Sequence, residues 1–196
     1  TLRRRLVSIS MVHKLKGHYL DTKHPIIVEN LMGIRRVKGS IQKGKKPLLI
    51  NHLKSIINVI NEQKTEEIKK LRDKSIILIG FGGGFRRTEI ISIDYEDLEF
   101  VPEGLKITIK RSKTDQFGEG MIKGLPYFTN ETYCPIVNLK KWLEISKIKN
   151  GPIFRRFSRG SSLTDKRLTD QSVVLLIKEY LNLAGIESKN FAGHSL

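Results

Sequence analysis

Apolar residues recur at helical spacing in several stretches of the chain and at every second position in one. Leu2, Leu6, Ile9, Val12 and Leu15 share one face of a helix over residues 2–16, and Arg3, Arg4, Arg5, His13 and Lys14 share the other. Pro25 suits a first helical turn, and Val28, Leu31 and Met32 follow as a short apolar stripe. Residues 35–47 break the periodicity and read as a basic linker that ends at Pro47. Two short helices offer too little apolar surface to fold alone. Residues 1–34 are therefore expected to be the C-terminal part of a helical domain.

The second domain is expected over residues 48–196. Asn51 can cap a helix that carries Leu53, Ile56, Ile57 and Ile60 on one face. Thr65, with Glu66 and Glu67 in the first turn, opens another through Leu71, Ile77 and Leu78 that stops at Gly82-Gly83-Gly84. A short helix carries Ile90, Ile91 and Ile93. Leu105, Ile107 and Ile109 alternate with Lys106, Thr108 and Lys110, the pattern of a half-buried strand. Asp115 to Gly120 predicts a turn, and Met121 to Leu125 a returning strand. Leu139, Trp142 and Leu143 mark a helix. Asp170 is placed to cap a last one, through Val173, Val174, Ile177, Tyr180 and Leu181 to Gly185. The fold class is α+β, mostly helical, with a small antiparallel sheet.

Composition narrows the function. With 39% hydrophobic and 29% charged residues a packed core is expected. The longest apolar run, Ile76 to Phe81, falls far short of the roughly 20 residues of a membrane span. The opening Thr1-Leu2-Arg3-Arg4-Arg5 has no apolar block of a secretory signal, and the single Cys134 suits a reducing cytoplasm. The net charge is +16 and uneven: residues 1–47 hold 12 basic and 2 acidic residues, a surplus of 10, and residues 48–196 hold 24 and 18, a surplus of 6. A basic segment beside a balanced globular part favours nucleic acid as partner over an anionic lipid surface.

The Gly82-Gly83-Gly84 run invites a nucleotide-loop reading, which fails. The sixth position of a dinucleotide pattern counted from Gly80 is Phe85, and Phe85-Arg86-Arg87 stands where a P-loop needs Gly-Lys-Ser/Thr. The histidines are scattered and no Cys or carboxylate completes a metal set. Three other segments carry more: Gly84-Phe85-Arg86-Arg87-Thr88-Glu89, Arg111-Ser112-Lys113-Thr114-Asp115-Gln116, and Gly193-His194-Ser195-Leu196. Each alone is weak, since an Arg pair at a helix start is usually a solvated face and a hairpin lysine usually keeps a turn wet. In this order and spacing they resemble the catalytic signature of the tyrosine recombinases, the phage integrase family.

The resemblance implies a catalytic domain over residues 48–196 preceded by the tail of a core-binding domain. It makes Arg86 the first catalytic arginine, supported by Glu89, Lys113 the hairpin lysine, and His194 the start of a His-x-x-Arg box. Ile91 to Leu98 resembles the family's stretch from that helix into the first strand. Duplex DNA is the implied partner, with other recombinase protomers on it, and no nucleotide, metal or other cofactor is implied. Such a protein acts in the cytoplasm, on the nucleoid. Arg35, Arg36, Lys38, Lys43, Lys45, Lys46 and Arg87 are the candidate DNA-binding cations. The box needs an arginine one residue past Leu196, and the family's tyrosine nucleophile follows it. The sequence is therefore expected to be incomplete at its C-terminus and inactive alone. A DNA-binding fragment that occupies sites without cutting is the alternative.

Overall fold

The computed structural model of the protein describes residues 2–39, 44, 46–110 and 120–191. The chain divides into two compact units, Thr1–Gly44 and Lys45–Leu196.

The first unit holds helices α1 (Leu2–Leu15) and α2 (Pro25–Lys38). His24 caps α2 by accepting the Ile26 N–H on Nδ1 at 3.3 Å, and Pro25 takes the first turn as expected. No residue of either helix is buried. The helix α2 extends through Lys38, so Arg35, Arg36 and Lys38 form its last turn and are not part of a linker that starts at residue 35. Cations there face the negative end of the helix dipole, and Gly39 (φ +72°) then lets the chain turn away.

The core lies in the second unit. Its elements are α3 (Ile50–Glu62), α4 (Glu67–Gly82), α5 (Arg87–Ser92), β1 (Leu98–Val101), β2 (Gly104–Ile109), β3 (Met121–Pro126), α6 (Pro135–Ser146), β4 (Arg155–Phe157), β5 (Leu163–Arg167) and α7 (Asp170–Leu183). This is the α+β, mostly helical class that the pattern predicts. The helix α4 packs on α6, α3 and α7, and Ile76, Ile77, Ile79, Ile56, Ile57, Trp142 and Leu181 are fully buried among them. Trp142 brings a polar atom into this core and satisfies it, its Nε1–H donating to the Ile153 carbonyl at 2.8 Å.

Three helix starts differ from expectation. α3 starts at Ile50, with Asn51 inside it, because the free Leu49 N–H is satisfied by His52 Nδ1 at 3.2 Å. α7 is capped by Thr169, whose Oγ1 accepts the Ser172 N–H at 3.2 Å, and Asp170 is its first helical residue. Thr65 likewise lies ahead of α4, which has Glu66 at its N-cap.

The three-stranded sheet has the order β1-β2-β3, antiparallel throughout. β2 alternates as predicted, with Leu105, Ile107 and Ile109 buried and Lys106 and Thr108 exposed. A Cβ on Gly104 would lie 2.0 Å from the Leu125 carbonyl oxygen, so only glycine lets β2 and β3 approach this closely. Their register closes on the pair Ile109↔Met121. The predicted turn beyond that pair lies outside the described residues, apart from Gly120. The hairpin β4-β5 was not expected, and its inner positions are filled by Arg155 and Arg167 as much as by Phe157 and Leu163.

Candidate functional site

The glycine run that ends α4 serves a sharp turn into α5. Gly84 sits at φ +55°, and a Cβ on Gly83 would come within 2.2 Å of the Phe85 ring. Phe85 is buried, while the Arg86 side chain next to it keeps 37% exposure. The turn thus anchors itself with the ring and leaves the guanidinium partly in solvent.

Arg86 occupies the N-cap position of α5 and is held twice by one carboxylate. Its backbone N–H donates to Glu89 Oε2 at 3.0 Å, and its Nη1 donates to Glu89 Oε1 at 2.7 Å. The Glu89 side chain is only 2% exposed. A carboxylate so buried needs compensating charge and donors. Lys123, on β3, adds to them, with Nζ 3.5 Å from Glu89 Oε2. The same ammonium donates to the Gly83 and Gly84 carbonyls at 3.1 Å each and lies 4.2 Å from the centre of the Phe85 ring.

The short helix α5 and the residues after it are also held by other ion pairs and hydrogen bonds. Arg87 Nε lies 3.2 Å from Asp170 Oδ2 at the start of α7. Arg167, at the end of β5, donates to the Ile91 carbonyl and to Asp94 Oδ1, each at 2.5 Å. Lys110, just after β2, bonds Asp97 Oδ1 at 2.8 Å and lies 3.6 Å from Asp94 Oδ2. The hydrogen bond to Asp97 raises the Lys110 pKa above its ordinary value.

Of the sequence-predicted residues, Arg86, Glu89 and Arg87 come together on this platform. Lys113 and His194 lie outside the described residues, as do Lys43 and Lys45. Arg35, Arg36 and Lys38 are exposed on α2 in the first unit, and Lys46 is exposed at the start of the second, its backbone N–H donating to the Asn190 carbonyl at 2.8 Å. Arg87 is half-buried like Arg86, but its carboxylate partner is the 38% exposed Asp170 on α7, where that of Arg86 is the 2% exposed Glu89 on α5 itself.

The periodicity missed a second polar group, inside the core. Arg72 and Asp73 on α4 are both buried, with Arg72 Nε and Nη2 donating to Asp73 Oδ1 at 2.8 and 2.7 Å. Tyr180 on α7 donates its hydroxyl to Asp73 Oδ2 at 2.8 Å. The Arg72 guanidinium also covers the Phe157 ring at 4.6 Å and donates to the Arg155 carbonyl at 3.3 Å, which fastens β4 to α4. Burial, and the Asp73 carboxylate beside it, push the Tyr180 phenol well above its ordinary pKa. Tyr180 thus acts as a buried donor that holds Asp73 in the core. Among the described residues no cluster of three or more potential metal ligands occurs, and no helix is long and apolar enough to cross a membrane.

The sequence and the fold both match known proteins. The model of the phage integrase family matches residues 47–196. An integrase/recombinase XerD homologue of Selenomonas ruminantium is 41% identical over 199 aligned positions, which cover 100% of this chain and 58% of that protein. The chain thus spans less than two thirds of that relative's length. The XerH site-specific recombinase, solved in a post-cleavage complex with a palindromic difH substrate, superposes with a TM-score of 0.58 at 19% identity, over 77% of this chain and 39% of that one. The XerA recombinase gives 0.54 at 15% identity, over 82% of this chain and 50% of that one. The chain belongs to the phage integrase family of tyrosine recombinases.

Proposed function

We propose that this chain binds duplex DNA and supplies phosphate-activating groups for its breakage and rejoining by the tyrosine route of its family. The observation that carries the reading is Arg86, which a buried carboxylate holds by its backbone N–H and by one guanidinium nitrogen while its side chain stays 37% exposed. Attack on a phosphodiester puts added negative charge on the non-bridging oxygens of a five-coordinate phosphorus. A planar guanidinium meets two such oxygens at once, which an ammonium does not. Because Glu89 sets its direction beforehand, Arg86 needs little reorganisation as that charge develops.

In this reading Lys113, on the connection between β2 and β3, gives a proton to the departing 5′-oxygen, and His194 hydrogen-bonds the phosphate or assists that transfer. The assignment of Lys113 is supported by its motif, Arg111-Ser112-Lys113-Thr114-Asp115-Gln116, which falls between β2 and β3 in the sequence. A tyrosine attacks the phosphorus, a P–O bond to it forms as the bond to the 5′-oxygen breaks, and the 3′-phosphotyrosine conserves the bond energy. The family pattern puts that tyrosine, and a second arginine, past Leu196, so none of the five tyrosines in this sequence is assigned the role. The exposed Arg35, Arg36, Lys38 and Lys46, with Lys43 and Lys45, contact the DNA backbone and set salt-dependent affinity.

Fluorescence anisotropy with duplex DNA at low salt tests the reading. Arg86→Ala should weaken binding about tenfold, the worth of a charge-assisted hydrogen bond discounted for partial exposure, and Arg87→Ala less than about threefold. Equal effects of the two substitutions, or none, would refute it.

A further inference from the structure

We infer that Lys123 is a positioning residue for Arg86: its ammonium faces the protein and keeps the Gly83–Glu89 turn electropositive, so that Arg86 is directed at phosphate. The inference rests on the reading of Arg86 as a phosphate ligand. A lysine on a strand of a DNA-binding domain would ordinarily be counted as one more backbone contact. The geometry here points elsewhere. An ammonium has three donors, and Lys123 has three acceptors around it: the Gly83 and Gly84 carbonyls at 3.1 Å and Glu89 Oε2 at 3.5 Å. The Phe85 ring lies 4.2 Å from the same atom, and the side chain is 19% exposed. Every one of these partners belongs to the segment that carries Arg86.

Charge explains why a cation is needed there. The carbonyls at the end of α4 and the Glu89 carboxylate make the inside of the turn negative. Glu89 alone, 2.7 Å from Arg86, would cancel the guanidinium. Arg86 and Lys123 each bring +1 and Glu89 −1, so removing Lys123 lowers the charge beside Arg86 by one. At 3.5 Å and largely out of solvent, the Lys123–Glu89 attraction is screened far less than a surface pair. Glu89 is then shared, and Arg86 can accept a second anion.

The test uses the 196-residue chain and a fluorescent DNA duplex at low salt, with a melting curve for every variant. Lys123→Met should weaken binding about five- to tenfold in the parent and less than about twofold in Arg86→Ala, because coupled residues are not additive. In the Arg86→Ala background it should leave the dependence of log affinity on log salt unchanged. Removing both charges, in Glu89→Gln/Lys123→Met, should recover at least half of the loss on a logarithmic scale. If Lys123→Met does not fold, Lys123→Gln makes the same comparison and keeps donors for the carbonyls. Equal losses in both backgrounds, with a salt slope reduced by about one, would make Lys123 a DNA contact itself and overturn the inference. So would an unchanged affinity for Lys123→Met in the parent. Absence of DNA binding by the unsubstituted chain would instead refute the functional reading, and this inference with it.

Discussion

Replacing Tyr180 by Phe removes one hydroxyl and keeps the ring that fills the space between α4 and α7. That hydroxyl donates to Asp73 Oδ2 at 2.8 Å, where Tyr180 is 3% exposed and Asp73 1%. The other carboxylate oxygen is already taken by Arg72, at 2.7 and 2.8 Å. In the variant Oδ2 faces the core without its donor. An ionised acceptor left unsatisfied in this way costs about 2–3 kcal/mol, and the cavity left by a single oxygen adds little. With a urea slope of about 2 kcal/mol per M, the unfolding midpoint should fall by about 1–1.5 M. Tyr133→Phe is the control, since its 3.3 Å bond to Asn58 is exposed and should be worth less than about 0.5 kcal/mol. There is a pH signature too. An unfolded tyrosine titrates near ~10 and the folded Tyr180 higher, so its contribution is complete below ~pH 10 and declines above. The parent should therefore lose stability above that pH more steeply than Tyr180→Phe. A Tyr180→Phe midpoint equal to that of Tyr133→Phe would refute the reasoning.

Asp73→Ala should be worse than Tyr180→Phe, about 3–5 kcal/mol by the same urea titration, because it leaves the buried Arg72 without its counter-ion. Arg167→Gln should cost about 1–3 kcal/mol through its broken bonds to Ile91 and Asp94, and should also weaken DNA binding because α5 loses an anchor near its C-terminal end. Changing Arg35, Arg36, Lys38, Lys43, Lys45 and Lys46 to Gln should flatten the fall of log affinity with log salt, by up to about 0.9 for each phosphate no longer neutralised, as read by anisotropy across a salt series.

Much of the second unit was legible because its apolar periods are regular. The alternation of Leu105, Ile107 and Ile109 placed β2, and the stripe from Val173 to Leu181 placed α7. Boundaries were less legible where neighbouring residues can both cap, as Thr169 and Asp170 can. β4 and β5 escaped because their inward positions include Arg155 and Arg167, which satisfy carbonyls and carboxylates and read in a sequence as surface. The helix α4 is buried at Arg72, Asp73 and Ser75 as well as along its apolar face, so a one-sided pattern could not reveal the network with Tyr180. Arg86 was found through its motif. Lys123 was not, since its carbonyl partners lie 40 and 39 residues earlier in the chain and no local pattern links them to it.

Whether Arg86 acts on a phosphate as it breaks is decided by covalent trapping on a nicked duplex. The protein is the chain extended past Leu196 with the C-terminal segment of a family relative, so that a second arginine and a tyrosine are supplied. Denaturing electrophoresis should show a protein–DNA adduct from the extended chain and none from the 196 residues alone. Arg86→Ala should slow adduct formation about 10²–10³-fold, the usual worth of one preorganised charge-stabilising group, while Arg87→Ala stays within a fewfold of the parent. An adduct that forms at the same rate without the Arg86 guanidinium would contradict the mechanism. So would an adduct from the unextended chain that disappears when one of its own five tyrosines is changed.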